Sequence, residues 1–254
     1  MILAIDIGNT NIAFGLSSGR EWKHHWRIRT VADKTADEYT VLFSSFLQHE
    51  GIDPISITGV VVSSVVPPLT GPFSSMLKKL TGKEVLLIGP GVKTGIRIRT
   101  DNPSEVGTDL VANAVASYRR YKGSCISIDF GTALTFTAVK APGDLLGVVI
   151  APGLNAAAGA LSEHTAQLPT VRLDAPERII GKNSIHSIQS GIVYGYSGLV
   201  KEIIRKIQEE MGERAKVIAT GGLVETVAPL VAEIDDIDQW LTLEGLKLIG
   251  EMNR

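Results

Sequence analysis

Apolar residues gather along this chain in short blocks, and the spacing inside the blocks switches between strand and helix periods. Ile2–Ile7 is a nearly continuous apolar run, as a buried strand requires. Gly8-Asn9-Thr10 turns the chain, and Asn11–Leu16 returns as a second strand. Trp26–Thr30 supplies a third. Thr35-Ala36-Asp37-Glu38 is a Thr-x-x-Glu capping box ahead of Tyr39, Leu42, Phe43 and Phe46 at helical spacing. Val60–Val66 is a strand closed by Pro67-Pro68. Leu69, Phe73, Met76, Leu77 and Leu80 then mark one helix face, and Glu84–Ile88 is another strand. The first half therefore predicts β-β-β-α-β-α-β.

The second half begins again in the same way. Cys125–Phe130 is an apolar strand carrying Asp129, Gly131-Thr132 turns, Ala133–Val139 returns and Leu145–Ile150 follows. Ala151-Pro152-Gly153 leads into an Ala-rich helix. A long helix is expected over Ser184–Met211, closed by Gly212. Val217–Ala219 is a strand ending in Thr220-Gly221-Gly222, and Thr242–Met252 is a last helix. Asp6-Ile7-Gly8-Asn9-Thr10 and Asp129-Phe130-Gly131-Thr132-Ala133 are thus one device used twice, separated by close to half of the 254 residues. The expected organisation is a duplicated α/β domain, 1–115 and 116–254, with the helix around Asp109 assignable to either half.

Composition limits the function classes. With 25 basic and 27 acidic residues the formal net charge is -2, which gives no whole-chain attraction to nucleic acid or anionic lipid. No apolar run approaches the roughly 18 residues of a membrane span. The first residues carry no basic stretch, so a signal peptide is not expected. One cysteine, Cys125, excludes an internal disulfide and any multi-cysteine zinc site, and suits a cytoplasmic protein.

A strand-end Asp followed by x-Gly-x-Thr suits phosphate chemistry. Glycine lets main-chain N–H groups converge on phosphate oxygens, and the Asp can hold a cation or its water against them. Both strand ends open into hairpins, so neither is a P-loop nor a Gly-x-Gly-x-x-Gly helix start. Gly107-Thr108 ahead of Leu110, Val111, Ala114 and Val115 puts Asp109 in the first turn of a helix. There it can serve as a proton acceptor, or simply as a first-turn acid favoured by the helix dipole.

An ordered series of motifs carries a resemblance. It comprises Asp6–Asn11, Ser63-Ser64-Val65-Val66-Pro67, Asp101-Asn102-Pro103-x-Glu105-Val106-Gly107-x-Asp109, Asp129–Ala133, Ala151-Pro152-Gly153, Gly181–Ser184 with Ser187–Gly191, and Ala219–Gly222. Over essentially its whole length the chain resembles the type III pantothenate kinases. The resemblance implies two ribonuclease H-like lobes of the actin-like ATPase and sugar-kinase superfamily, with ATP in a central cleft. It implies ATP-dependent phosphorylation of pantothenate, the first step of coenzyme A biosynthesis, in a cytoplasmic homodimer. Asp109 would be the catalytic base. ATP would be bound by Asp6, Ile7, Gly8, Asn9, Thr10, Asn11, Ile12, Ala13 and Thr132. Gly107, Thr108, Asp109, Leu110 and Ser184 would contact the substrate. Asp129 would hold a monovalent cation, K+ or NH4+, and Mg2+ would accompany ATP.

Three acceptor-side positions depart from that family: Leu110 stands where an Arg is usual, Thr100 where a Tyr is usual, and Ser184 where a Thr is usual. Two further readings therefore stay open here, a Baf-type regulator keeping the fold without turnover, and a related kinase with another small hydroxylated acceptor. Trp22-Lys23-His24-His25-Trp26-Arg27 interleaves aromatics with bases but is read as an edge strand, and nucleic acid is not an expected partner. His164 and His186 have no second ligand at helical spacing. Arg119-Arg120 is read as a solvated helix end, and Cys125 as inert core.

Overall fold

A computed structural model describes residues 1–163, 165 and 167–254; His164 lies outside the described residues. The chain forms two units. One consists of Met1–Gly95, Asn102–Ala116 and Thr242–Arg254, the other of Ile96–Asp101 and Ser117–Leu241. A division at 115/116 thus falls beside the main crossing, while two segments, 96–101 and 242–254, run across it.

The elements follow the predicted alternation. In chain order they are β1 (Ile2–Ile7), β2 (Asn11–Ser18), β3 (Glu21–Arg29), α1 (Ala36–His49), β4 (Gly59–Ser64), α2 (Pro67–Thr81), β5 (Val85–Leu87) and β6 (Arg97–Ile98). Then come α3 (Thr108–Tyr121), β7 (Cys125–Phe130), β8 (Ala133–Lys140), β9 (Asp144–Pro152), α4 (Leu154–Glu163) and α5 (Ser184–Met211). The chain closes with β10 (Lys216–Thr220), α6 (Val224–Val227), β11 (Asp236–Ile237) and α7 (Leu241–Met252).

The first unit holds a five-stranded sheet in the order β3-β2-β1-β4-β5. β1, β2 and β3 are antiparallel, whereas β4 and β5 run parallel to β1. Leu3, Ile5, Ile7, Val60 and Val62 point to one face, where Tyr39, Phe43 and Leu47 of α1 and Phe73 and Leu77 of α2 cover them. Phe14 stacks on Phe43 at 5.2 Å between centroids. The Thr35 capping box of α1 is formed, with Thr35 and Glu38 each serving the other's main-chain N–H.

Strand alternation sends Asp6, Val61 and Ser63 to the opposite face. There α3 and α7 lie. A Cβ on Gly250 would collide with Val61, and one on Gly245 with the main chain of Ala112. Lys247, only 4% exposed, pairs with Glu244 at 2.7 Å and sits over the Trp22 ring, whose Nε1 donates to the same carboxylate at 2.9 Å. Strand β3 starts five residues earlier than its apolar pattern suggests, because charged residues mask its alternation. Its two tryptophans serve packing: Trp22 meets α7, and Trp26 stacks on Phe46 of α1 at 5.8 Å.

The second unit repeats the order as β11-β10-β7-β8-β9 and adds β6 beyond β9. Ile126, Ile128, Phe130, Phe136 and Val217 face a core filled by α4, α5 and α6. Asn183 caps α5, accepting from the His186 N–H at 2.8 Å, and Gly212 ends it in the left-handed region. Arg120 is not merely solvated, since its guanidinium pairs with Asp238. Cys125 is buried, and burial pushes its thiol up to about 12, as befits inert core. No described helix is long and apolar enough to cross a membrane.

Candidate functional site

The first Asp-x-Gly turn is a three-residue link between β1 and β2. Gly8 N–H donates to Asn11 O at 3.0 Å and closes it. The end of β3 braces it: Thr30 Oγ1 donates to Gly8 O at 2.6 Å, and Thr30 N–H to Thr10 O at 2.9 Å. Asn9, Thr10 and Asn11 are left exposed with their amide and hydroxyl groups on the surface, while Asp6 is half-buried. Ile7 and Ile12 face each other across the ladder with side chains in the core, so either can offer a ligand only its main chain. Ala13 lies opposite Asp6.

Asp109 joins this end of the sheet through β4. In the parallel pairing Asp6 is in register with Ser63, and Ser63 Oγ shares a hydrogen bond of 2.9 Å with Thr108 Oγ1. Thr108 opens α3, and Asp109 follows in its first turn. A Cβ on Gly107 would meet the Asp109 carboxylate oxygen, so glycine leaves the acid room to fold back. Burial pushes the Asp109 carboxyl above the usual range, against the opposing pull of its own and the Leu110 N–H. Leu110 is 8% exposed and packs inward. Asp109 is thus a largely buried acid in the first turn of α3.

The second Asp-x-Gly turn is built differently. Only Gly131 and Thr132 separate β7 from β8, and both are exposed. Asp129, half-buried, is in register with Thr135 on one side and Thr220 on the other. Gly221, at φ +100°, lies so close to Asp129 and Phe130 that a Cβ would strike both. Gly153, at the start of α4, lies as closely on the main chain of Gly131 and Thr132. Three motifs far apart in sequence thus converge on one turn, a convergence that spacing alone does not reveal.

A carboxylate with adjacent main-chain oxygens and hydroxyls is a suitable donor set for a hard cation. Among the described residues no three His, Cys, Asp or Glu side chains cluster, so a cation beside Asp129 or Asp6 must take its other ligands from main chain, phosphate or water. Ser184, exposed at the start of α5, borders a cavity of about 560 Å³ with Lys182, Asn183, Ser187 and Ile188. It belongs to the second unit, whereas Gly107–Leu110 belong to the first.

Comparison with known proteins follows this geometry. The sequence profile described as type III pantothenate kinase matches residues 2–206. A type III pantothenate kinase of Moorella thermoacetica is 49% identical over 253 residues, covering 100% of both chains. Among solved structures, a Baf family protein of Campylobacter jejuni matches with a TM-score of 0.60 at 18% identity, covering 99% of this chain and 98% of its own. The ROK hexokinase of Thermus thermophilus matches with a TM-score of 0.51 at 14% identity, covering 99% and 98%. At those identities the two structures speak for the fold alone, that of the actin-like ATPases and sugar kinases.

Proposed function

The chain belongs to the type III pantothenate kinase family, and from that premise we propose that it transfers the γ-phosphoryl group of ATP to the primary hydroxyl of pantothenate. The full-length likeness to the Moorella thermoacetica kinase carries this reading. The placement of Asp6 and Asp109 about Ser63 supplies its chemistry.

Phosphoryl transfer passes through a loose transition state, so a kinase gains most from positioning and charge neutralisation. The exposed Asn9, Thr10 and Asn11 and the main chain of residues 6–13 donate to phosphate oxygens, and Thr132 serves ATP from the second turn. Asp6 acts by its charge. Mg2+, when bound with ATP, neutralises the phosphates. Asp109 accepts the hydrogen bond of the acceptor hydroxyl and takes its proton as the new P–O bond forms. Gly107, Thr108 and the main chain of Leu110 line the acceptor, and Ser184 adds a hydroxyl.

Asp129 is assigned to a monovalent cation, K+ or NH4+. A homodimer is assigned to the second unit, where Gly191, Gly195 and Gly198 leave one exposed stripe of α5 open to close approach. A cytoplasmic location accords with a metabolic kinase holding one buried thiol. The engagement of Trp22 and Trp26 in packing gives the regulatory reading no stacking platform.

The test is turnover of ATP against a panel of small hydroxylated acceptors, with K+, NH4+ or neither. The expected result is phosphorylation of pantothenate, dependent on the cation in the wild type and independent of it in any residual activity of Asp129→Ala. Preference for another acceptor, or no turnover of any, would overturn the assignment.

A further inference from the structure

Ser63-Ser64 is part of a motif to which the proposed chemistry assigns no role, and the structure separates its two serines. Adjacent strand residues point to opposite faces. Ser64 shares the face of Val60 and Val62, and its Oγ accepts from the Val66 N–H at 3.3 Å and from Thr70 Oγ1 at 2.8 Å. It therefore secures the start of α2, whose own N-cap position, Val66, has no side chain to do so. Ser63 takes the other face, is fully buried, and spends its hydroxyl on Thr108.

We propose that Ser63 is a positioning residue for the Asp109 carboxylate, tying the first turn of α3 to the strand end in register with Asp6. The assignment rests on the kinase reading. A helix advances about 100° per residue, so fixing the direction of Thr108 fixes that of Asp109. The first helical turn has few main-chain partners of its own; the Val111 N–H, donating to Gly107 O at 3.1 Å, is the first inside α3. A side-chain tie is thus the means by which this turn can be held to the sheet. Its partner strand is pinned by β1 on one side and β5 on the other. The hydroxyl pair then sets how far the proton acceptor stands from the carboxylate that organises phosphate. A misplacement near 1 Å is enough to cost a catalytic site much of its rate.

The test compares Ser63→Ala, Ser63→Thr and Ser64→Ala in the full chain, by steady-state kinetics and by amide hydrogen exchange. Ser63→Ala is expected to lower kcat about tenfold at unchanged KM for ATP. Exchange at Leu110 and Val111 should quicken about fivefold, as the loss of one buried hydrogen bond implies, while Leu3 and Ile5 keep their protection. Ser63→Thr, which keeps the hydroxyl, should recover most of the rate, and Ser64→Ala should leave kcat near wild type. Unchanged exchange at Leu110 and Val111 in Ser63→Ala overturns the assignment, as does a loss of protection shared equally by Leu3 and Ile5. The exchange arm needs no acceptor. A wild type inactive on pantothenate would overturn the function and still leave the tie to be decided by the amides.

Discussion

The two Asp-x-Gly turns begin with the same residues at the same place in the same sheet order, yet they are held by different means. The first is a three-residue link braced by side-chain and main-chain hydrogen bonds from Thr30. The second is a two-residue link walled by glycine backbone, with Gly153 on one side and Gly221 on the other. The first exposes Asn9, Thr10 and Asn11, and its strand end is tied through Ser63 and Thr108 to the first turn of a neighbouring helix, where Asp109 stands. The second has steric closeness and one carboxylate. One turn is thus closed by hydrogen bonds and the other by close main-chain packing.

The sharpest way to break this contrast is Asp109→Asn. Asparagine keeps the shape but cannot take a proton, so kcat should fall roughly a thousandfold with ATP affinity nearly unchanged. The pH dependence follows from the same residue. A carboxyl raised by burial stays protonated to a higher pH than an ordinary one, so the base form is lost on acidification earlier than usual. The acidic limb of kcat against pH should therefore lie above the normal carboxylate range. By linkage, a folded-state pKa raised by burial means that ionised Asp109 costs stability once the pH exceeds the unfolded value, so Asp109→Asn should raise Tm at neutral pH.

A second comparison uses the glycines. Gly221→Ala places a Cβ against Asp129 and Phe130 at a left-handed φ, and should cost about 2–4 kcal/mol in denaturant unfolding. Gly8→Ala meets only Asn11 O, at 3.1 Å, and should cost under about 1 kcal/mol. Equal losses would remove the distinction between a walled turn and a braced one. A similarly small effect is expected from Thr30→Val, which deletes one hydrogen bond to Gly8 O. KM for ATP should rise about fivefold with little change in Tm, since a hydrogen bond is worth about 1 kcal/mol.

Much of this molecule is legible in the sequence because it is locally determined. The capping box at Thr35, the two hairpins, and the long helix from Ser184 to the Gly212 stop all depend on residues within a few positions of one another. The two-residue strands β6 and β11 carry no period to read, and they exist only because a sheet edge accepts them. The same limit applies at the site. Asp6, Asp109 and Asp129 stand out by their motifs, whereas the Ser63–Thr108 tie depends on a pairing between segments 45 residues apart. Leu110 shows the opposite case: as a residue type it suggests a missing charge, and only its burial reveals that it faces the interior.

The placement of α7 carries a consequence for how the chain comes into being. Residues 242–254 belong to the unit that contains Met1, where α7 lies on Val61 and Ala112, and Asn253 donates to Lys93 O at 2.8 Å. During synthesis, the unit that emerges first is therefore the last to be sealed. The second unit has all of its own strands and helices in hand before α7 has left the ribosome. The sheet bearing Asp6, with Asp109 on the helix tied to it, waits with its α7 face uncovered, so a chain interrupted before residue 242 holds both carboxylates on a scaffold that has not closed.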